Sequence, residues 1–149
     1  MGSTLSPERA DYLRSSFKTG FIDYCGFEAV DIGPGRFEAR VEIKDHHRQQ
    51  DGFVHAGVMA TLADHTAGYA AYTLIPDDCR ILTIEFKINF LRPAHGGSLV
   101  CRAKALKPGK MVIVLEADVF DVRDEGEVQV SKVIMTAAVV SAANLARAE

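Results

Sequence analysis

Five prolines and twelve glycines in 149 residues are too few for a collagen-like or low-complexity chain. Three cysteines (Cys25, Cys79 and Cys101) are widely spaced, odd in number and contain no CxxC pair. That argues against a disulfide scaffold and a thiolate zinc site, and it suits a reducing, cytoplasmic location. Excess positive charge is lacking as well. At a formal net charge of −3 the chain has no general basic surface with which to displace counterions from a nucleic acid. No phosphate loop or dinucleotide fingerprint occurs, since Gly33-Pro34-Gly35 is not followed by a helical pattern. Met1 to Asp11 is polar and no apolar stretch follows a basic start, so no targeting segment is expected. The longest apolar run, Gly57 to Ile75, carries Asp64 and His65 near its centre. A charge there would cost several kcal/mol in hydrocarbon, so the run reads as a buried helix rather than a membrane span.

What is present is a globular balance, 48% hydrophobic and 25% charged, with neither repeat nor linker. One domain over residues 1–149 is expected. Ser6-Pro7-Glu8 is a helix start: a hydroxyl cap, a proline in the first turn and an acid at the positive end of the dipole. Ala10, Leu13, Phe17 and Phe21 recur at helical spacing, which predicts one amphipathic helix over about 6–21. Gly26 to Ile43 changes to period two, with Phe37, Ala39, Val41 and Ile43 alternating with charges, and reads as two strands around Gly33-Pro34-Gly35. A polar loop follows. The segment from His55 is then apolar nearly all round, as expected of a helix in the middle of a fold, and it stops at Pro76-Asp77-Asp78.

After Arg80 the pattern is that of strands. Leu82, Ile84, Phe86, Ile88 and Phe90 alternate with Thr83, Glu85, Lys87 and Asn89. Ser98 to Leu106, Met111 to Val122 and Glu127 to Val140 follow, joined by turns of hairpin length. The economical packing lays the long helix across one antiparallel sheet, an α+β architecture with its core over about 26–140.

Asp64 is the residue that physical chemistry singles out, a carboxylate among Leu62, Ala63 and Ala67 where hydration is reduced. It serves either as a structural acid satisfied by Thr61 or His65, or as a general base or nucleophile. His55-Ala56-Gly57 lies at the start of the same helix, where backbone N–H groups lack intrahelical partners and can hold a polarised carbonyl. Gly57 would let a ligand approach; alternatively it only permits close packing. Gly57 and Asp64 are about 10.5 Å apart along one helix, too far to act on one carbonyl. Either the two features are unrelated, or Asp64 acts on a carbonyl held by another copy. Two helices antiparallel about a two-fold axis would bring each Asp64 to the other chain's Gly57, and chemistry that uses both groups needs a dimer.

The stretch from His55 through Leu62 to Asp64 resembles the H-G-G-x-x-x-x-L-x-D segment of hotdog-fold acyl-CoA thioesterases. Ile88-Asn89-Phe90-Leu91-Arg92-Pro93-Ala94 is similar to a later strand and turn of the same family. The branch it most resembles is the phenylacetyl-CoA thioesterase type. The resemblance implies a hotdog fold, a long central helix wrapped by a curved antiparallel sheet, paired as a homodimer and often a homotetramer. It implies hydrolysis of an acyl-CoA thioester with Asp64 as base or nucleophile and the N–H of Gly57 or Ala56 on the carbonyl oxygen. It further implies that Thr83 and Gln49 position water, that His55 assists at the carbonyl, and that coenzyme A enters only as part of the substrate, with no metal or other cofactor.

The chain departs from that pattern in three places. Ala56 replaces the first glycine, Gln49 is longer than the frequent asparagine, and Thr83 lies on the polar face of its strand unless a bulge re-aims it. A rim of Arg92, Arg102, Lys104, Lys107 and Lys110 is expected to meet the coenzyme phosphates; ordinary charged turns are the alternative. His46-His47 lacks a third ligand and reads as a solvated loop rather than a metal site. His65 is expected against the core or an interface, His95 in an exposed turn, and Cys79 as inert. Two further readings are a non-catalytic acyl-CoA sensor or carrier and a dehydratase of the same fold. Asp64 favours hydrolysis over the first, and the second lacks an evident histidine–acid pair.

Overall fold

The computed structural model describes residues 5–147; residues 1–4, the first part of the polar start, lie outside the described residues. Helix α1 spans Pro7–Phe17, and Ser6 accepts the Arg9 N–H as its cap. The expected single helix over about 6–21 is in fact two. Gly20 takes φ 55°, a left-handed value open chiefly to glycine, and a separate short helix α2 (Phe21–Cys25) starts beyond it. Phe21 is therefore 65% exposed instead of continuing the apolar stripe of Leu13 and Phe17.

Strands β1 (Phe27–Gly33) and β2 (Arg36–Glu42) form the hairpin expected around Pro34, and a short 3-10 turn covers Asp45–His47. The long helix α3 is Ala56–Tyr72. Strands β3 (Cys79–Phe90), β4 (Ser98–Lys107), β5 (Val112–Arg123) and β6 (Gly126–Ser141) follow, and a last turn of helix, α4, is Ala142–Leu145. All six strands make one antiparallel sheet in the order β1-β2-β4-β5-β6-β3. Although consecutive in sequence, β3 and β4 are not neighbours. Beyond Phe90 the N–H groups of Leu91 and Arg92 both reach Val130 O, and the chain then crosses the end of the sheet to enter β4 between β2 and β5. This leaves β3 on an edge, paired only with β6.

The sheet curves around α3, which touches every strand. Leu62, Ala63, Ala67, Ala70 and Ala71 of the helix are fully buried against Phe37, Leu99, Leu115 and Met135 of the strands. The alanines bring the helix close to the sheet, while each large side chain removed from water contributes about 1.5–3 kcal/mol. The result is a rigid central rod whose N-terminus and middle are held at fixed positions over the sheet.

Candidate active site

The start of α3 is set by its own cap. His55 is extended (φ −61°, ψ 137°), and its Nδ1 accepts the Gly57 N–H at 2.8 Å. A Cβ on Gly57 would stand 3.0 Å from that nitrogen, so the glycine makes room for the folded-back imidazole. The Gly57 N–H is thus engaged within the chain. Ala56 N–H has no hydrogen-bond partner among the described residues and is exposed. Of the two candidate donors, Ala56 is the one open to a ligand.

Ala56, His55, Met59, Phe90 and Arg92 line a cleft of about 560 Å³ together with Gln49. Gln49 Oε1 accepts the Asp51 N–H, so the side chain closes its local turn, and the Gln49 backbone N–H donates to Phe53 O at 2.8 Å. Arg92 Nη1 donates to Gln129 O at 2.9 Å.

Asp64 lies two turns further along α3 and is half-buried. Neither donor considered from the sequence reaches it: Thr61 Oγ1 donates to Gly57 O at 2.8 Å, and His65 Nε2 faces Phe17 O at 3.0 Å. Thr83 supplies the contact instead, its Oγ1 donating to Asp64 Oδ1 at 2.7 Å. Strict alternation would have turned Thr83 away, but β3 is bulged. Thr83 pairs with Ala137 and Glu85 with Thr136, which leaves Ile84 as the extra residue. Before the bulge Ile81 and Thr83 face the helix; after it Phe86 and Ile88 do. Leu82 and Ile84 are consequently 46% and 56% exposed, against the expectation that they share a face with Phe86 and Ile88. The carboxylate opens on a second cleft, about 430 Å³, walled by Phe21, Ile22, Ala60 and Phe86.

Within the chain the five residues of the expected basic rim do not come together. Arg102 is committed to Glu38 and Glu127, which push its pKa up, and Lys104 pairs with Glu116. Gly35 N–H bonds to Thr73 Oγ1 and Ala105 N–H to Gly35 O, which sets the end of β4 beside the C-terminus of α3. Lys107 and Lys110 are therefore at that end, and Arg92 is at the other, about 25 Å away along the helix.

His47 is not solvated, as its loop position suggested, but buried: Nε2 meets Cys25 O at 2.7 Å, Nδ1 accepts the Lys44 N–H, and burial pushes its pKa down. No cluster of three metal-ligating side chains occurs among the described residues. No helix there is long and apolar enough to cross a membrane. The Cys101 thiol is buried and pushed up to about 12. Asp121 was missed by sequence reasoning. It is fully buried and accepts the N–H groups of His95 and Gly96 and the Arg123 guanidinium, holding the turn that follows Arg92-Pro93. Its signal was available: it stands at an inward position of β5, in phase with Leu115, Ala117 and Val119.

The profile of the thioesterase superfamily matches residues 51–128, from the loop before α3 into β6. A 1,4-dihydroxy-2-naphthoyl-CoA hydrolase of Listeria monocytogenes is 28% identical over 102 residues, 68% of this chain and 83% of that protein. A Saccharolobus solfataricus protein carrying a provisional esterase name is 32% identical over 94 residues, 63% of this chain and 66% of that protein. A solved thioesterase family protein from Silicibacter pomeroyi superposes with a TM-score of 0.85 at 34% identity, covering 89% of this chain and 98% of that one. The curved six-stranded sheet around a central helix is the hotdog fold. Ala56, Asp64 and Thr83 all fall within the matched stretch, and by that match and the 34% identical structure the chain belongs to the thioesterase superfamily.

Proposed function

We propose that the protein hydrolyses an acyl-CoA thioester to the free acid and CoA, at a site shared between two copies of the chain. The observation that carries this reading is that Asp64 and Ala56 N–H open into different clefts of one protomer. They are eight residues apart on α3, about 12 Å, whereas reacting atoms must approach to about 3–3.5 Å. Antiparallel pairing of two α3 helices brings the acid of one copy to the free N–H of the other.

Two surface features support that pairing. β3 is a 12-residue strand hydrogen-bonded on one side only and carries exposed Leu82 and Ile84, an edge that invites a second copy. Gly68, one turn beyond Asp64, has nothing within 4 Å of where a Cβ would stand, so packing in the protomer does not require a glycine there.

In the shared site the thioester oxygen accepts Ala56 N–H at the positive end of α3, which stabilises the oxyanion as the carbonyl carbon becomes tetrahedral. Asp64, oriented by Thr83, either takes a proton from the attacking water or attacks the carbon itself to give an anhydride that water then opens. The C–S bond breaks, and the thiolate of CoA leaves and is protonated. Arg92 edges the Ala56 cleft and meets a coenzyme phosphate. The same antiparallel pairing sends the other copy's Lys107 and Lys110 past the start of α3, on the side where the coenzyme would extend. A panel of acyl-CoAs, with thiol release followed, tests the reading. Wild-type turnover with a loss of at least about 10²-fold in kcat for a folded Asp64→Asn supports it. Tight acyl-CoA binding without release selects the sensor or carrier alternative.

A further inference from the structure

The walls of the Asp64 cleft come from two separate parts of the chain. Ala60 and Phe86 belong to α3 and β3, inside the segment matched by the superfamily; Phe21 and Ile22 belong to α2, some thirty residues before that segment begins. Helix α2 is not loosely placed. Phe17, at the end of α1, is fully buried, stacks on Phe37 at 5.1 Å and gives its carbonyl to His65 Nε2. Tyr69 Oη donates to Ser16 Oγ at 3.0 Å, and Ile22 itself is only 7% exposed. Against this anchored base Phe21 is left 65% exposed, with its ring on the cleft.

We infer that Phe21 is a specificity-determining residue, forming with Ile22, Ala60 and Phe86 a subsite for uncharged, apolar acyl groups. The inference rests on the hydrolysis proposed above. If the thioester carbon lies within reach of Asp64, the acyl group must leave it along one of the surfaces around that carboxylate. Besides Asp64, those surfaces are the side chains of Phe21, Ile22, Ala60 and Phe86 together with Thr61, whose Oγ1 donates to Gly57 O, and His65, whose Nε2 is engaged with Phe17 O. None of the described residues lining the cleft is a lysine or arginine. A hydrocarbon acyl group gains by leaving water there, whereas a dicarboxylic acyl group would bring its second carboxylate to apolar walls, with Asp64 as the nearest charge. A cleft of about 430 Å³ is within the usual range for small-molecule sites. The apolar wall from α2 thus both attracts one acyl class and repels the other.

The test compares hexanoyl-CoA with succinyl-CoA as substrates of the full chain. Wild type should favour hexanoyl-CoA in kcat/KM by about 10²-fold or more. Phe21→Ala, at an exposed position that leaves the core intact, should lower the hexanoyl-to-succinyl ratio about tenfold. Phe21→Arg should lower it further, because a guanidinium there would pair with the succinyl carboxylate. A ratio within about twofold of wild type in either variant, or a wild-type preference for succinyl-CoA, overturns the inference while leaving hydrolysis standing. Wild-type turnover of neither ester, with the acyl-CoA panel also inert, refutes hydrolysis and the subsite together.

Discussion

Thr83 Oγ1 donates a 2.7 Å hydrogen bond to Asp64 Oδ1, tying the edge strand β3 to the middle of α3. One oxygen of the carboxylate is thereby oriented by the protein, and no partner for Oδ2 occurs among the described residues. Thr83→Val keeps the shape and removes the hydroxyl. It should lower kcat about tenfold with KM within about twofold, and Thr83→Ser should restore most of the rate. Steady-state thiol release measures both; a valine variant at the wild-type kcat would contradict the positioning role.

His55 acts on the helix before it acts on any ligand. Its Nδ1 caps Gly57 N–H, so His55→Ala should cost about 1 kcal/mol of stability and His55→Asn should recover most of it. Urea unfolding with an unchanged m value is the measurement. Equal losses in both variants would assign the effect to something other than the cap.

His47 and His65 both titrate below the ordinary histidine range, chiefly because burial penalises the charged ring. Between about pH 6.5 and the folded values the unfolded chain binds a proton that the folded chain does not. Stability is therefore fully present above about pH 6.5 and lost as pH falls through the folded values. The thermal midpoint should fall from pH 7.5 to pH 5.5. The double variant His47→Asn/His65→Gln, which cannot titrate, should lose most of that slope. The carboxylates held low by ion pairs, Asp31, Glu116 and Glu127, lose their contribution only at more acid pH and do not confuse the window. An unchanged slope in the double variant would contradict the assignment.

Asp121 is the fixed point of the turn between β3 and β4. Its carboxylate serves two backbone N–H groups and Arg123 Nε at 2.9 Å with no exposure to water. Asp121→Ala strands all three donors and should destabilise the fold by about 3 kcal/mol. A change below about 1 kcal/mol by chemical denaturation would mean that water replaces the carboxylate at no great loss.

The sequence carried the architecture because periodicity is a local property. The period-two runs of β4, β5 and β6 place these strands to within a residue. The all-round apolar pattern after His55 places the start of α3 but not its end, which comes at Tyr72 rather than at Pro76. The pairing of β3 with β6 was not legible, because it depends on contacts between Phe90 and Ser131, 41 positions apart. The bulge at Ile84 was equally hidden: nothing in Thr83-Ile84-Glu85 announces an extra residue, yet it decides which way Thr83 points. Asp64 stood out as a carboxylate in an apolar helix. The preference for Ala56 over Gly57 as the free donor needed the fold, since only the turned-back ring of His55 shows that the Gly57 N–H is taken.

The shared site is the central claim, and subunit mixing tests it most directly. One parent is Asp64→Ala; the other is Ala56→Pro, which deletes the free N–H. Proline suits the first position of a helix, and His55 already holds the extended conformation required before it, so this variant is expected to fold. Each parent alone should be inactive. Unfolded together and refolded as an equal mixture, about half of the dimers are mixed by random pairing, and each mixed dimer has one site with both groups intact. Thiol release should therefore return to about a quarter of the wild-type value. No recovery, with mixed dimers verified by mass, would contradict a site that draws Asp64 from one subunit and Ala56 from the other.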